Sequence, residues 1–319
     1  MRFLLTLVVV LLLGAVAAGV GLKFVQAQIT APGPLAQNTV VFIAPGTGVR
    51  AMGTQLQSAG VITQDKLFLG VVALRGIQGR LQAGEYEFPA QIPLAGVIEK
   101  MVSGDVLRRM VTIPEGLSSF EAAAIINAAP EMEGTIEPPA EGSILPETYS
   151  YIRGDARAKI LRQMQAAMTK TLDTLWANRS VDLPIKSKEE ALTLASIVEK
   201  ETRIAAERPR VAGVYINRLN KGMLLQSDPT VIYAITKGAS KIDRVLYAHL
   251  EIDSPYNTYK NIGLPPGPIA NPGAASIAAV LKPEKNDFLY FVADGTGAHI
   301  FATNATDHEA NVVKWRGVQ

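Results

Sequence analysis

The chain has no cysteine. Disulfides, thiol nucleophiles and cysteine-ligated zinc are therefore excluded, and export from the cytoplasm is permitted without being demanded. Histidine is scarce and scattered, at His249, His299 and His308, with no His-Glu-x-x-His or His-x-x-Glu spacing. No metal site and no cofactor are expected on this pattern. Neither sign of charge is in excess: 31 basic residues meet 29 acidic ones, for a formal net charge of +2. A nucleic-acid partner, which would leave a basic stripe, is not expected. Charged residues make up 19% and hydrophobic residues 48% of the 319-residue chain. That balance is a folded protein with a sizeable core and room for one to three domains.

What the chain does have begins at its N-terminus. Phe3 to Leu22, FLLTLVVVLLLGAVAAGVGL, carries no charge. At about 1.5 Å per residue a helix of that length spans about 30 Å, the hydrocarbon thickness of a bilayer. Arg2 before it and Lys23 after it favour an anchor with its N-terminus inside and the body of the chain outside. "VQA", Val25 to Ala27, resembles a cleavage site, but the apolar run is longer than a signal-peptide core, so a retained anchor is preferred. Residues 24–38 are a polar, Pro/Gly-containing linker.

Structure resumes at Thr39–Ile43, a β-branched strand. Helices are expected over Val49–Ala59, from Asp65 as cap to Leu74, and over Leu94–Val102 with Gly104 as stop. "AGEYEFP" is a strand with Tyr86 and Phe88 on one face. "RRMVTIPEG" is a further strand and turn. A helix is expected over Leu117–Ala128, an irregular Pro/Gly/Glu-rich stretch over 129–151, and a long helix over Ala156–Trp176. The expected class is α+β.

The chemistry concentrates further on. Ser187-Lys188-Glu189-Glu190 is a capping box opening a helix through "ALTLASIVEKET". Its apolar face holds Ala191, Leu194, Ala195 and Val198. Glu199 lies at one edge of that face and Glu201 near the other, and helical geometry alone leaves the two undecided. A second helix, Ala205–Asn220, carries Val211, Val214, Tyr215 and Ile216, with Gly222 as its stop. Asp228-Pro229 has the form of a cap followed by a first-turn proline, and Asn271-Pro272 is expected to cap a later helix. Between them a loop gathers Tyr256, Asn257, Tyr259, Lys260 and Asn261. Tyrosines that stack on pyranose faces and amides that bond to hydroxyl and acetamido groups suit a sugar site. Tyrosines packed beneath a surface loop would give the same pattern.

The blocks "ASIVEKET", "VYINRL", "LLQSDPTVIYA", "SPYNTYKNIGLPPGPIANPG" and "LYFVADGTGAHIFATN", in this order, resemble the signature blocks of the endolytic murein transglycosylases, the YceG-like family. The likeness extends to "EGSILPETY" and "AGEYEF". It implies a single-pass inner-membrane protein: an anchor over 1–23, a LysM-like domain over 39–106 and a mixed α/β catalytic domain over 107–319 on the extracytoplasmic side. It also implies cleavage of the β-1,4 bond between N-acetylmuramic acid and N-acetylglucosamine in nascent strands, leaving 1,6-anhydro ends. A peptidoglycan synthase complex is the implied partner. Residue by residue, the resemblance makes Glu199 the catalytic acid and places Gln226, Asp228, Tyr256, Asn257 and Tyr259 along the substrate cleft. An acid of this kind must start protonated, which burial on an apolar helix face with no close cation would favour. The competing readings are a membrane-tethered glycan-binding or scaffold protein without activity, and a hydrolytic muramidase pairing Glu199 with Asp228. A peptidase lacks the Ser-Lys, Cys-His or zinc arrangement it would need.

Overall fold

A computed structural model of the chain describes residues 2–242 and 244–317. Met1, Asp243, Val318 and Gln319, which fall in the expected anchor and catalytic segments, lie outside the described residues. The chain is α+β, and it divides into two compact units, Met1–Arg109 and Met110–Gln319.

The first unit opens with α1 (Arg2–Thr30), which is long and apolar enough to cross a bilayer by length and composition. Then follow β1 (Thr39–Ile43), α2 (Val49–Ser58), α3 (Asp65–Leu74), β2 (Gly84–Phe88) and α4 (Leu94–Ser103). The strands pair antiparallel, Thr39 opposite Phe88 and Ile43 opposite Gly84. Two helices thus sit between two paired strands in a β-α-α-β order. Strand alternation turns Tyr86 and Phe88 to one face, where both are buried with Ile43, Leu56, Phe68 and Val97. Gly104, at φ 68, closes α4 in the left-handed conformation that an L side chain disfavours. Asp65 is the first residue of α3 rather than its cap; its amide donates to Gln57 Oε1.

The second unit runs β3 (Arg109–Thr112), α5 (Ser119–Ala128), β4 (Thr148–Tyr151), α6 (Arg157–Ala177), α7 (Lys188–Glu201), α8 (Arg208–Asn220), α9 (Asp228–Thr236), α10 (Tyr247–Leu250), α11 (Ala274–Leu281), β5 (Tyr290–Ala293), β6 (His299–Ala302) and α12 (Ala305–Arg316). The stretch expected to be irregular contains β4, which pairs with β3; its two-residue alternation is too short to stand out from the surrounding prolines. β5 and β6 form an antiparallel hairpin.

α7 is the axis of this unit and packs against α6, α8, α9 and α11. It is enclosed on every side: Leu194, Ala195, Ser196, Ile197 and Val198 are all fully buried. The narrow apolar stripe expected from the sequence therefore understates its burial. Its hydroxyls are absorbed locally, with Thr193 donating to Glu189 O and Ser196 to Thr193 O, while Ser196 Oγ accepts from the Ile269 amide. Only half of the expected capping box forms. Ser187 accepts from the Glu190 amide, but the Glu190 carboxylate accepts from Lys186 instead of reaching back to Ser187.

Two other expected caps shift by a residue or more. Ser227 is the N-cap of α9, which places Asp228 inside its first turn and frees its carboxylate for another partner. Gly273, not Asn271, caps α11. Asn271 is fully buried and ties three segments together: it donates to Leu117 O and Glu141 Oε1 and accepts from the Ile144 amide.

Candidate active site

The two glutamates in the last turn of α7 meet the negative end of the helix dipole, where a carboxylate is least welcome. The surroundings resolve this differently for each.

Glu199 is answered by charge. Arg208, at the start of α8, donates to Glu199 Oε1 at 2.9 Å, and the Gly273 amide at the N-terminus of α11 donates to Oε2 at 2.9 Å. Both oxygens are used, and the side chain is 5% exposed. Arg208 also reaches Glu115 at 3.1 Å, so one guanidinium bridges two carboxylates. A Cβ on Gly273 would lie 1.8 Å from Glu115 Oε1, so the exposed Glu115 side chain would have to move aside for it. The condition that would favour a protonated acid, burial with no close cation, is not met at Glu199. The cause is the turn through the 3-10 segment Ala205–Glu207, which folds Arg208 back onto α7. Lys200, the neighbour of Glu199 in sequence, donates to Gly116 O instead.

Glu201 is answered by hydroxyls. Tyr215 of α8 donates to Glu201 Oε1 at 2.7 Å and Ser227 donates to the same oxygen at 2.5 Å. Oε2 has no hydrogen-bond partner among the described residues. Burial is the largest influence and pushes the Glu201 pKa up; the two hydroxyl bonds work against it, and nearby Asp228 adds to it. Tyr215 is itself raised well above the ordinary phenol range, first by burial and then by the charge of Glu201, so it remains a donor.

Glu201 lines a cleft of about 400 Å³. Gln226, Asp228 and Tyr259 line it too, so three of the residues expected in the substrate cleft are brought together here. Gln226 is held at φ 50, a left-handed conformation that costs a non-glycine residue free energy and recurs at functional sites. Its amide is fixed by Thr258 O, and its side chain is exposed. Tyr259 donates to Asp228 Oδ1 at 2.6 Å. Tyr259 is pushed up, chiefly by burial and then by that bond, so Asp228 keeps its donor across the neutral range.

The other two residues expected there are placed elsewhere. Asn257 is fully buried and is spent within its own loop, donating to Leu250 O and Ile252 O and accepting from the Tyr259 amide. Tyr256 packs on Tyr233 at 4.9 Å between ring centroids, with Lys237 Nζ 4.6 Å from the Tyr256 ring. Neither lines the Glu201 cleft. Glu199 does not line it either.

The cleft also contains residues to which the sequence assigns no place in it. Tyr290, Phe291 and Val292 come from β5, and His308 and Val312 come from α12. Arg218 of α8 is locked beneath them, donating to Leu224 O, Leu225 O and Leu289 O. Tyr215 falls on the apolar face expected of α8, and a phenol among aliphatic residues is the signal that marks it out. Among the described residues no cluster of His, Asp and Glu could hold a metal ion.

Comparison with known proteins agrees with this architecture. Residues 41–314 match the model of the YceG-like family. A protein named endolytic murein transglycosylase from Bacillus subtilis (strain 168) is 34% identical over 298 residues, covering 83% of this chain and 81% of the relative. A second of that name, from Streptococcus pneumoniae serotype 2 (strain D39 / NCTC 7466), is 29% identical over 324 residues, covering 86% of this chain and 58% of that longer relative. The 2.6 Å crystal structure of a yceG-like protein from Listeria monocytogenes aligns with a TM-score of 0.55 at 30% identity, covering 86% of this chain and 98% of the other. With the matching segment spanning both units, the chain belongs to the YceG-like family.

Proposed function

We propose that this chain is a lytic transglycosylase that cleaves murein strands internally, with Glu201 as its catalytic acid. The single observation that carries the assignment is the state of the two carboxylates. Both oxygens of Glu199 are occupied by an arginine and a backbone amide, whereas Glu201 has no bond to Oε2 among the described residues and lines a cleft that also holds Gln226, Asp228 and Tyr259. Residue matching alone had favoured Glu199. The names of the relatives support the reaction class.

The chemistry needs one carboxyl group in two states. Burial favours the protonated form of Glu201, with both hydroxyl donors on Oε1, so the proton resides on Oε2. That proton passes to the glycosidic oxygen as the bond between it and the muramic acid C1 breaks. The carboxylate then takes the proton of the same sugar's C6 hydroxyl, whose oxygen forms the new bond to C1. The product is a 1,6-anhydro end, and the acid returns to its starting form. Because the nucleophile belongs to the substrate, its effective concentration is high and no second catalytic carboxylate is required. Tyr215 and Ser227 hold the carboxyl and soften the anionic state between the two proton transfers.

An exposed carboxylate in the same cleft favours a second reading. Asp228 could activate a water, which would make the enzyme a hydrolytic muramidase. Mass analysis of products from purified glycan strands separates the two, because anhydro ends are one water lighter than hydrolysed ends. Glu201→Gln should abolish cleavage, whereas Glu199→Gln should retain it in the folded fraction. The reverse pattern would return the role to Glu199. Glycan binding without new ends in the wild-type protein would leave a non-catalytic tether.

The cellular setting belongs to the same proposal. α1 supports a single-pass anchor in the inner membrane with the body outside, close to strands under synthesis. That placement suits termination of glycan elongation beside a peptidoglycan synthase complex. The β-α-α-β order of residues 39–88 supports a LysM-like module.

A further inference from the structure

β5 pairs with β6 along one edge, and no strand pairs with its other edge among the described residues. Asp294 donates its amide to Ala298 O, and the register sets Val292 opposite Ile300 and Tyr290 opposite Ala302. In an antiparallel ladder the bonded pairs alternate, so Val292 and Tyr290 bond to β6, and the N–H and C=O of Phe291 point to the other edge. Among the described residues no strand pairs with that edge. An unpaired strand edge is a template for any group that offers an amide in the same plane. Here it adjoins the Glu201 cleft, which Phe291 lines.

The groups around this edge are chemically mixed in a specific way. Val292 and Val312 contribute apolar surface. The Tyr290 ring stacks on His308, with centroids 5.1 Å apart, and Arg218 lies 5.1 Å from the Tyr290 centroid. With its guanidinium already donating to three carbonyls, Arg218 fixes this wall in place. His308 Nδ1 is buried and without a partner among the described residues. A buried donor left unmade is costly, so the ring proton belongs on Nε2, which makes the imidazole a donor from that side.

We propose that the β5–α12 wall is a subsite for the acetamido group of a hexosamine unit next to the bond being cleaved. The amide N–H and C=O of that group pair with the C=O and N–H of Phe291, its methyl sits against Val292 and Val312, and the Tyr290 hydroxyl and His308 Nε2 contact its sugar ring. This inference rests on the glycan reading of the cleft and adds a specificity to it: the enzyme selects N-acetylated strands over de-N-acetylated ones. The cavity volume of about 400 Å³ suits a sugar unit better than an extended peptide, which would have to run along the whole edge.

The test uses the inactive Glu201→Gln chain and two defined probes, the tetramer of β-1,4-linked N-acetylglucosamine and the same tetramer with free amines. Titration followed by amide NMR and calorimetry should show at least tenfold tighter binding of the acetylated tetramer, with the Phe291 amide among the most shifted. Tyr290→Phe and His308→Ala, each in the Glu201→Gln background, should weaken binding of the acetylated tetramer about fivefold, as expected for one lost hydrogen bond. Equal affinity for the two tetramers, or an unmoved Phe291 amide, overturns the subsite. A shift of Phe291 by a free stem tetrapeptide but not by the sugar also overturns it and assigns the edge to peptide. Because the readout is binding, it is independent of the products. Anhydro ends without acetyl selectivity would sink this inference alone, and acetyl selectivity without anhydro ends would sink the proposed reaction alone.

Discussion

Two carboxylates separated by one residue in α7 occupy opposite chemical worlds. Glu199 is held by Arg208, which also reaches Glu115, and by the Gly273 amide. Glu201 stands at a cleft wall with two hydroxyls on one oxygen and, among the described residues, no partner on the other. The difference teaches that burial alone does not make an acid. At Glu199 an arginine and a backbone amide take up both oxygens, whereas at Glu201 burial beside neutral donors raises the pKa. The clamp on Glu199 ties α7, α8 and α11 together, and so it also holds the backbone from which Glu201 projects.

The contrast can be broken most directly at Glu201. Glu201→Gln should lower kcat/KM by about 10²–10⁴-fold through loss of proton transfer, while circular dichroism stays unchanged. A variant that keeps near-normal turnover would remove Glu201 from the chemistry. This variant also carries a pH signature in stability. A folded pKa raised above the unfolded value gives stability that is complete below the unfolded pKa and is lost as pH rises through the folded pKa. The wild-type protein should therefore lose melting temperature relative to Glu201→Gln as pH rises from about 4, near the unfolded glutamate pKa. A gap that does not change with pH would mean that Glu201 is not desolvated.

The clamp should respond in stability instead. Arg208→Met leaves Glu199 buried without its cation, which costs about 3–5 kcal/mol and lowers the melting temperature by about 10 °C. Differential scanning calorimetry reads this; an unchanged transition would show that the ion pair is not a structural element. Gly273→Ala pushes the exposed Glu115 side chain away from Arg208 and should cost at most about 1 kcal/mol, measured by urea denaturation. At the small end, Tyr259→Phe removes the donor to Asp228. It should cost about 1 kcal/mol and raise KM severalfold with little change in kcat, as seen in steady-state kinetics on glycan strands.

Much of the fold was legible because it rests on local rules. The strand Thr39–Ile43, the Tyr86/Phe88 face, the stop at Gly104 and the long helix near 156–177 follow from alternation, helical spacing and turn chemistry. Two of the misplaced caps share a cause: Ser227 and Gly273 compete with nearby Asp228 and Asn271, whose side chains are taken by distant partners. Asn271 is drawn into the core by Leu117 O and Glu141, which are more than a hundred residues away in the chain. The Tyr/Asn loop likewise divided in a way that no pattern shows. Its amide Asn257 went to loop carbonyls, and only Tyr259 of its aromatics went to the Glu201 cleft.

The sequence by itself determined the apolar N-terminal helix, the α+β class, the absence of thiol chemistry and the helix that carries the pair of glutamates. Those properties depend on residues within a turn or two of one another. Which glutamate faces the cleft was decided only when the chain folded back at Ala205–Glu207. That turn set Arg208 against Glu199, and α8 and the segment before α9 brought Tyr215 and Ser227 to Glu201. The protonation of a carboxyl group depends on what surrounds it in space, and here most of those surroundings arrive from elsewhere in the chain.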